Sequence, residues 1–233
     1  MNSNVICEKP LVLNPWNANL LMSLEKETGK KVNNILQLRL HPSIIALKRK
    51  IEQSASSDFF EFDLTYITPR GDWYYTSWKG DEAKSGGIIT NIGIHFFDML
   101  IWLFGEVKSS KLHVKAHDRA SGFLELSKAR IRWFLSINEQ TLPESARSNG
   151  IKSYRSMILD GKEIVFDIGF NNLHTTSYKQ ILDGNGFGIL EALPSIELVH
   201  SIRNQEPLGL IGDFHPLATK KQTVHPFLKN DII

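Results

Sequence analysis

The chain has 233 residues, 42% of them hydrophobic and 22% charged, enough for one or two globular domains with an ample core. Its net charge of +2 comes without the basic stripe that nucleic-acid binding requires, so no nucleic-acid partner is expected. The single cysteine excludes an internal disulfide and suits a reducing cytoplasm.

Asn2-Ser3-Asn4 and the short apolar run after it do not have signal-peptide form. Residues 4–7 read as a buried strand and 14–29 as a helix, with Asn14 as N-cap, Pro15 at its first position and Gly29 just past its end. Val32 to Leu40 reads as a second strand, apolar enough to be covered on both faces. Strand, helix and strand make one βαβ unit, the form of the last unit of a doubly wound sheet.

After Pro42 the pattern changes. Residues 43–52 suit a short helix, with Lys48-Arg49-Lys50 at its solvated end, and 58–68 alternate as a half-buried strand does. Gly86-Gly87 open a nearly all-apolar run to Gly105 that approaches the length of a membrane span. Asn91, His95 and Asp98 interrupt it, so it reads as a buried helix from about Asn91 to Phe104, and no membrane partner is expected. Candidate strands follow at 110–117, 120–126, 129–137, 154–159 and 163–166, punctuated by turn signals at Ser121-Gly122, Leu142-Pro143 and Asp160-Gly161. The last is the strongest hairpin signal. Helices near 174–183 and 194–204 close the series, and the polar tail from Lys220 is expected to be loose. The fold class is therefore α+β: residues 1–40 the tail of a doubly wound sheet, 41–219 a mostly antiparallel sheet with helices, and 220–233 a tail.

Glu8-Lys9-Pro10 ends the first strand, where open α/β sheets bind ligands. A lysine held there is a candidate for partial desolvation, a lowered pKa and proton transfer; a solvated pair opening a loop is the plain alternative. Asn91 and His95, four residues apart, share a helix face, with Asp98 in reach of the imidazole. A core histidine satisfied by a neighbour is the alternative there. Gln37-Leu38-Arg39-Leu40-His41-Pro42 ends the second strand. Arg39 suits a bidentate carboxylate or phosphate contact, or an ordinary salt bridge. Tyr66 to Asp81 carries Trp73, Tyr74, Tyr75 and Trp78 between Arg70 and Lys79. Such a segment suits a uracil or sugar ring beside a diphosphate or carboxylate, or aromatics that cap a small core.

These stretches together resemble the Gfo/Idh/MocA family of NAD(P)-dependent sugar oxidoreductases. The glycine pair, then an amide, then Gly93-Ile94-His95 follows its pattern, with Asn91 where many members have Asp. Gln37 to Pro42 is similar to its amide–x–Arg–x–x–Pro stretch, with Leu40 in place of the usual aromatic. Arg70-Gly71-Asp72-Trp73-Tyr74 and Ser77-Trp78-Lys79-Gly80-Asp81 resemble the UDP-N-acetylglucosaminuronate dehydrogenase branch, which acts in surface-polysaccharide assembly. Segments 120–126, 132–137, 173–175, 186–188 and 212–216 are similar as well; Asn171-Asn172 departs, standing where an acid is usual.

The resemblance implies NAD-dependent oxidation of a UDP-sugar at C3, with Lys9 and His95 handling the hydroxyl proton, which of them as base being open. It implies a substrate set of Arg39, Arg70, Trp73, Tyr74, Trp78, Lys79 and Asn91, a cofactor set of Glu8, Lys9, Pro10 and Gln37, no metal, and a homo-oligomer. No G-x-G-x-x-G follows a strand; Gly184-Asn185-Gly186-Phe187-Gly188 follows a helix with the wrong spacing. The chain is thus expected to begin after the family's dinucleotide fingerprint, and alone to bind NAD poorly and turn over slowly or not at all. The competing expectation is a non-catalytic module that binds a sugar nucleotide or only oligomerises.

Overall fold

The computed structural model of the chain describes residues 3–165 and 172–227. A small parallel unit comes first. Strand β1 (Val5–Cys7) runs into helix α1 (Pro15–Thr28), which returns to β2 (Val32–Asn34), paired in parallel with β1. Helix α1 starts at Pro15 and stops at Gly29, whose φ of 67° only glycine adopts without cost.

The strand expected through Leu40 ends at Asn34, and Gln37–Leu40 forms a single 3₁₀ turn. Leu38 and Arg39 are both buried. A strand sends neighbouring side chains to opposite faces, whereas a tight turn lets both enter the interior. His41, extended before Pro42 as its position demands, caps helix α2 (Pro42–Gln53) by accepting the Ser43 amide at Nδ1.

The main sheet has six strands: β3 (Phe60–Ile67), then, after the site segments, β4 (Val107–Ala116), β5 (Arg119–Leu126), β6 (Ala129–Ser136), β7 (Tyr154–Leu159) and β8 (Lys162–Glu163). Their spatial order is β4-β5-β6-β3-β7-β8; β3 and β6 are parallel and every other neighbouring pair antiparallel. Phe60, Phe62, Leu64 and Tyr66 alternate toward one face of β3 and pack with the helices, as period-two patterning requires.

Between β3 and β4 lie the short helices α3 (Trp73–Thr76), α4 (Glu82–Ser85) and α5 (Gly87–Asn91), followed by α6 (Ile94–Phe104). The single helix expected over 91–104 is thus broken at Ile92-Gly93, with a bend of 45° between the segments ending at Asn91 and starting at Ile94. No single helix among the described residues is long and apolar enough to cross a membrane; α6 is mostly apolar because the sheet and α9 cover it. At Gly93 a Cβ would collide with the Ile89 carbonyl and the Phe97 ring, so glycine allows the close packing at the break.

Ser121-Gly122 forms no turn: both residues lie inside β5, and Gly122 pairs with Trp133 on β6. The fully buried indole occupies the space a Cβ would need, so this glycine makes room for a tryptophan. Asp160-Gly161 does join β7 to β8, with φ of 49° and 75°, both left-handed as a two-residue hairpin turn demands.

After α7 (Glu144–Ser148), which precedes β7, the remaining helices are α8 (Leu173–Leu182) and α9 (Ile189–Arg203). Helix α9 starts five residues before the expected boundary and carries Pro194 inside; the Glu191 carboxylate caps it by accepting the Gly188 amide. Phe166 and Asn171 lie outside the described residues. The tail is held rather than loose up to residue 227. Arg119 donates to the Lys220 carbonyl, and the Thr223 hydroxyl donates to Asp118. A segment around 208–217 crosses the outer face of the sheet, with His215 in hydrogen-bond contact with Thr65 and stacked on Phe134.

Candidate active site

A cavity of about 280 Å³ opens where the carboxyl ends of β1 and β2 meet the end of β3. Lys9 enters it two residues after β1, and Gln37 enters from the turn after β2. Asn91, Ile92, His95 and Phe96 come from the α5–α6 break; Tyr66, Thr68, Arg70, Tyr74 and Lys79 come from the end of β3 and the segment after it. Of the residues singled out in the sequence, Lys9, Gln37, Arg70, Tyr74, Lys79, Asn91 and His95 therefore share one cavity, although they span 87 positions.

Lys9 Nζ donates to the main-chain carbonyl of Asn91 at 2.6 Å, tying the end of β1 to the end of α5. Burial pulls the Lys9 ammonium down to about 8; Glu8 opposes the shift, while Lys79 and Arg70 deepen it. His95 is held well below its ordinary value, first by burial and then by Lys9 and His174, so it stands as neutral imidazole at pH 7. Burial likewise pushes the Tyr74 phenol up, against the pull of Asn91. Gln37 Oε1 is buried with no hydrogen-bond partner among the described residues. Such an orphaned acceptor has a desolvation cost that a ligand N–H would offset.

Among the described residues the cavity lining contains no carboxylate and includes the cations Lys9, Arg70, Lys79 and Arg155. Arg155 was not among the sequence candidates. It is the second residue of β7, directly across from Tyr66, with its guanidinium carbon 5.2 Å from the Tyr66 ring centre. Tyr66 in turn packs on Phe96, with ring centres 4.9 Å apart. The signal lay in the phase of β7: Met157 and Leu159 face the core, so Arg155 places a charge on an apolar face.

Other expected site residues lie elsewhere. Arg39 does not reach the cavity. It is buried, donates to both Asp98 oxygens at 2.9 and 2.7 Å, and donates to the Glu191 carbonyl at 2.9 Å. Its reading as a substrate clamp is corrected to a structural ion pair joining the turn after β2 to α6 and α9. The same pair removes Asp98 from the imidazole of His95. Asn91 and His95 do not share one helix face as the spacing implied; the break at Gly93 separates their helices and delivers both to the cavity.

Glu8, Pro10 and Trp78 line an adjoining recess with Lys9 and Asn91, and Glu8 meets His174 at 3.0 Å. Trp73 stands half-exposed outside the cavity lining; Lys79 lies 5.9 Å from its ring and from that of Trp78, and Arg70 5.9 Å from Trp73. No group of three or more His, Cys, Asp or Glu among the described residues could hold a metal.

Residues 58–144 match the Gfo/Idh/MocA oxidoreductase family, C-terminal alpha/beta domain. The chain is similar to the WlbA (WbpB) dehydrogenase of Thermus thermophilus in complex with NAD and alpha-ketoglutarate. The identity is 46%, the TM-score 0.86, and the match covers 89% of this chain and 67% of that one. The same dehydrogenase with NAD and UDP-GlcNAcA aligns at 46% identity and a TM-score of 0.85, covering 89% of this chain and 66% of that one. Among curated relatives, the putative oxidoreductase YteT of Bacillus subtilis is 28% identical over 107 residues, 45% of this chain and 25% of YteT. The chain thus spans a quarter of that relative's length. On the extent of the likeness to the Thermus enzyme, the chain belongs to the Gfo/Idh/MocA oxidoreductase family.

Proposed function

We propose that the cavity binds UDP-N-acetylglucosaminuronate and that the activity is NAD-dependent oxidation of its C3 hydroxyl. The observation that carries this reading is the collection of Lys9, His95 and Asn91 with the further cations Arg70, Lys79 and Arg155, and no carboxylate among the described residues, in one cavity. The 46% identical dehydrogenase crystallised with NAD and UDP-GlcNAcA supports it. A volume of about 280 Å³ sits at the ~300 Å³ lower edge of small-ligand clefts. That space suits one sugar ring, and leaves the diphosphate and uracil to lie over the mouth among Arg70, Lys79, Trp73 and Trp78.

The chemistry assigned to the chain's own residues is proton handling and orientation. A base works best with a pKa near the operating pH. Lys9, at about 8, fits that demand better than His95, whose strongly depressed value makes it a weak acceptor. In this reading the Lys9 amine takes the C3 hydroxyl proton as the C–H hydride leaves, and neutral His95 and Asn91 hydrogen-bond the sugar and fix its ring. The orphaned Gln37 acceptor fits a carboxamide N–H, so Lys9 and Gln37 would hold the nicotinamide end of NAD. Bound there, NAD supplies the hydride acceptor. Glu8 and Pro10 would border the cofactor from the adjoining recess.

We further read the protein as a cytoplasmic homo-oligomer. Leu208, Leu210 and Ile211, exposed on the segment over the outer sheet face, support a contact between copies. Sedimentation velocity tests this; a monomer at micromolar concentration contradicts it. A second reading, a module that binds the sugar nucleotide without turnover, is favoured by one observation: no G-x-G-x-x-G follows a strand in the 233 residues. The same observation leads us to expect weak NAD binding by the isolated chain.

The experiment is incubation of the full chain with UDP-GlcNAcA and excess NAD, following absorbance at 340 nm and the mass of the sugar nucleotide. Formation of NADH with a product lacking two hydrogens supports oxidation, however slow. UDP-GlcNAcA binding without either change favours the module. Absence of both binding and turnover rejects the site assignment.

A further inference from the structure

The C-terminal segment packs against Tyr75 and His117. Asp118 and Arg119, both nearly solvent-free, form a bidentate pair at the start of β5. Asp118 also accepts from Asn138 at 2.6 Å and from the Thr223 hydroxyl at 2.8 Å, and Arg119 donates to the Lys220 carbonyl at 2.9 Å. These contacts fix the tail at Lys220 and Thr223, just before the ring cluster formed by His225 and Phe227.

That cluster closes on Tyr75. The His225 ring centre lies 4.8 Å from Tyr75 and 4.9 Å from His117, and Phe227 lies 6.4 Å from Tyr75. His117 bridges the two segments: Nε2 is 2.9 Å from the Thr223 carbonyl and Nδ1 is 3.0 Å from the Tyr75 hydroxyl. A carbonyl only accepts, so Nε2 carries the hydrogen. Nδ1 of the neutral ring is then the acceptor for the Tyr75 O–H. The tail thus sets the tautomer of His117, which in turn holds Tyr75.

Tyr75 matters because of its neighbours. Tyr74 and Lys79 line the cavity on either side of it, and the Tyr74 and Tyr75 rings meet edge-on at 5.7 Å. The segment is also anchored by Tyr74, whose ring is buried in the main core, and its long-range hydrogen bonds lie near its ends, from the Arg70 amide to the Ile137 carbonyl and from the Ser85 hydroxyl to the Lys79 carbonyl. The bonds within it, such as the Tyr74 amide to the Gly71 carbonyl, are local turns.

We propose that residues 223–227 act as a clamp on the Tyr74–Lys79 wall of the cavity, with His117 and Tyr75 as positioning residues for the sugar nucleotide. The inference rests on the reading of the cavity as a sugar-nucleotide site, and neither residue touches the cavity. The clamp restricts the wall before ligand arrives, so binding does not have to order it.

The test compares the wild-type chain with Tyr75→Phe, which keeps the ring, His117→Ala, and His117→Gln, whose amide retains a donor for Thr223. Two readouts are taken on each: hydrogen exchange of amides 73–79 and the UDP-GlcNAcA dissociation constant. The expected result is faster exchange confined to 73–79, with affinity falling roughly tenfold in His117→Ala, the equivalent of ~1.4 kcal/mol. Tyr75→Phe should fall by a smaller factor, and His117→Gln should recover part of the loss. Unchanged exchange at 73–79 in both Tyr75→Phe and His117→Ala overturns the clamp. So does acceleration spread over the whole sheet with a lowered urea midpoint, since that is a fold defect alone. Should the wild type bind no UDP-GlcNAcA, the function reading falls, and the exchange measurement decides the clamp by itself.

Discussion

Replacing Asp98 with alanine removes one half of a buried ion pair. The Arg39 and Asp98 side chains are 8% and 3% exposed, and two hydrogen bonds of 2.9 and 2.7 Å join them. Burial pushes the Asp98 carboxyl above its ordinary range and the guanidinium opposes that shift, so removing the carboxylate leaves a cation buried among apolar groups. The Glu191 carbonyl accepts from the guanidinium and the Phe187 ring lies 5.1 Å from its carbon, and neither neutralises it. Breaking such a pair costs about 3–5 kcal/mol, whereas replacing both partners with apolar groups is often nearly neutral. In a domain of this size each kcal/mol lowers the melting temperature by ~2–4 °C, so Asp98→Ala should melt on the order of 6–20 °C lower. Urea unfolding followed by tryptophan fluorescence measures the loss, and an Arg39→Met/Asp98→Leu double variant should recover most of it. Asp98→Ala within about 1 kcal/mol of wild type would refute the argument. So would an Arg39→Met variant of unchanged stability that no longer binds UDP-GlcNAcA, because Arg39 would then be a ligand contact.

Three further outcomes follow from the geometry. Isotopic methylation of lysines with an NMR pH titration should show Lys9 losing its proton near pH 8; Lys79→Met should move that transition up, since Lys79 disfavours the charged form, and an unshifted transition contradicts the proximity. Burial holds His215 down at about 4. A histidine depressed in the folded state leaves the unfolded chain with more bound protons between pH 6.5 and 4, so stability should fall by up to ~3 kcal/mol as pH drops through that window and level off below it. Urea midpoints of wild type and His215→Gln across pH 7 to 4 test this, and parallel curves count against it. Gly122→Ala should destabilise by about 1–3 kcal/mol through overpacking against Trp133 and the Lys111 carbonyl, read as a lowered urea midpoint; an unchanged midpoint contradicts the packing argument.

Local chemistry was the most legible part of the sequence. Pro15 and Gly29 mark the ends of α1 because their backbone preferences act without help from the rest of the fold, and Asp160-Gly161 marks the hairpin for the same reason. Lys9, Gln37 and His95 stood out through their place at strand ends and after a glycine pair, and they meet in one cavity. Features set by tertiary partners were not. Arg39 looked like a ligand clamp because nothing local reveals that Asp98, 59 positions on, sits against it. Gly122 looked like a turn because the indole that requires it belongs to the next strand. Arg155 went unread because its place beside Tyr66 depends on the antiparallel register of β3 and β7. The tail read as loose because its anchors, Asp118, Asn138 and His117, lie more than 80 positions away.

The most direct test of the central claim is calorimetric titration of the full chain with UDP-GlcNAcA, against UDP-GlcNAc, which lacks the carboxylate. A cavity lined, among the described residues, by four cations and no carboxylate should bind the uronate saturably at one site per chain and at least about tenfold more tightly, a difference of ~1.4 kcal/mol. Arg155→Met should reduce that preference. Equal affinity for the two sugars, or no heat with either, would contradict the assignment of this cavity to a UDP-uronate.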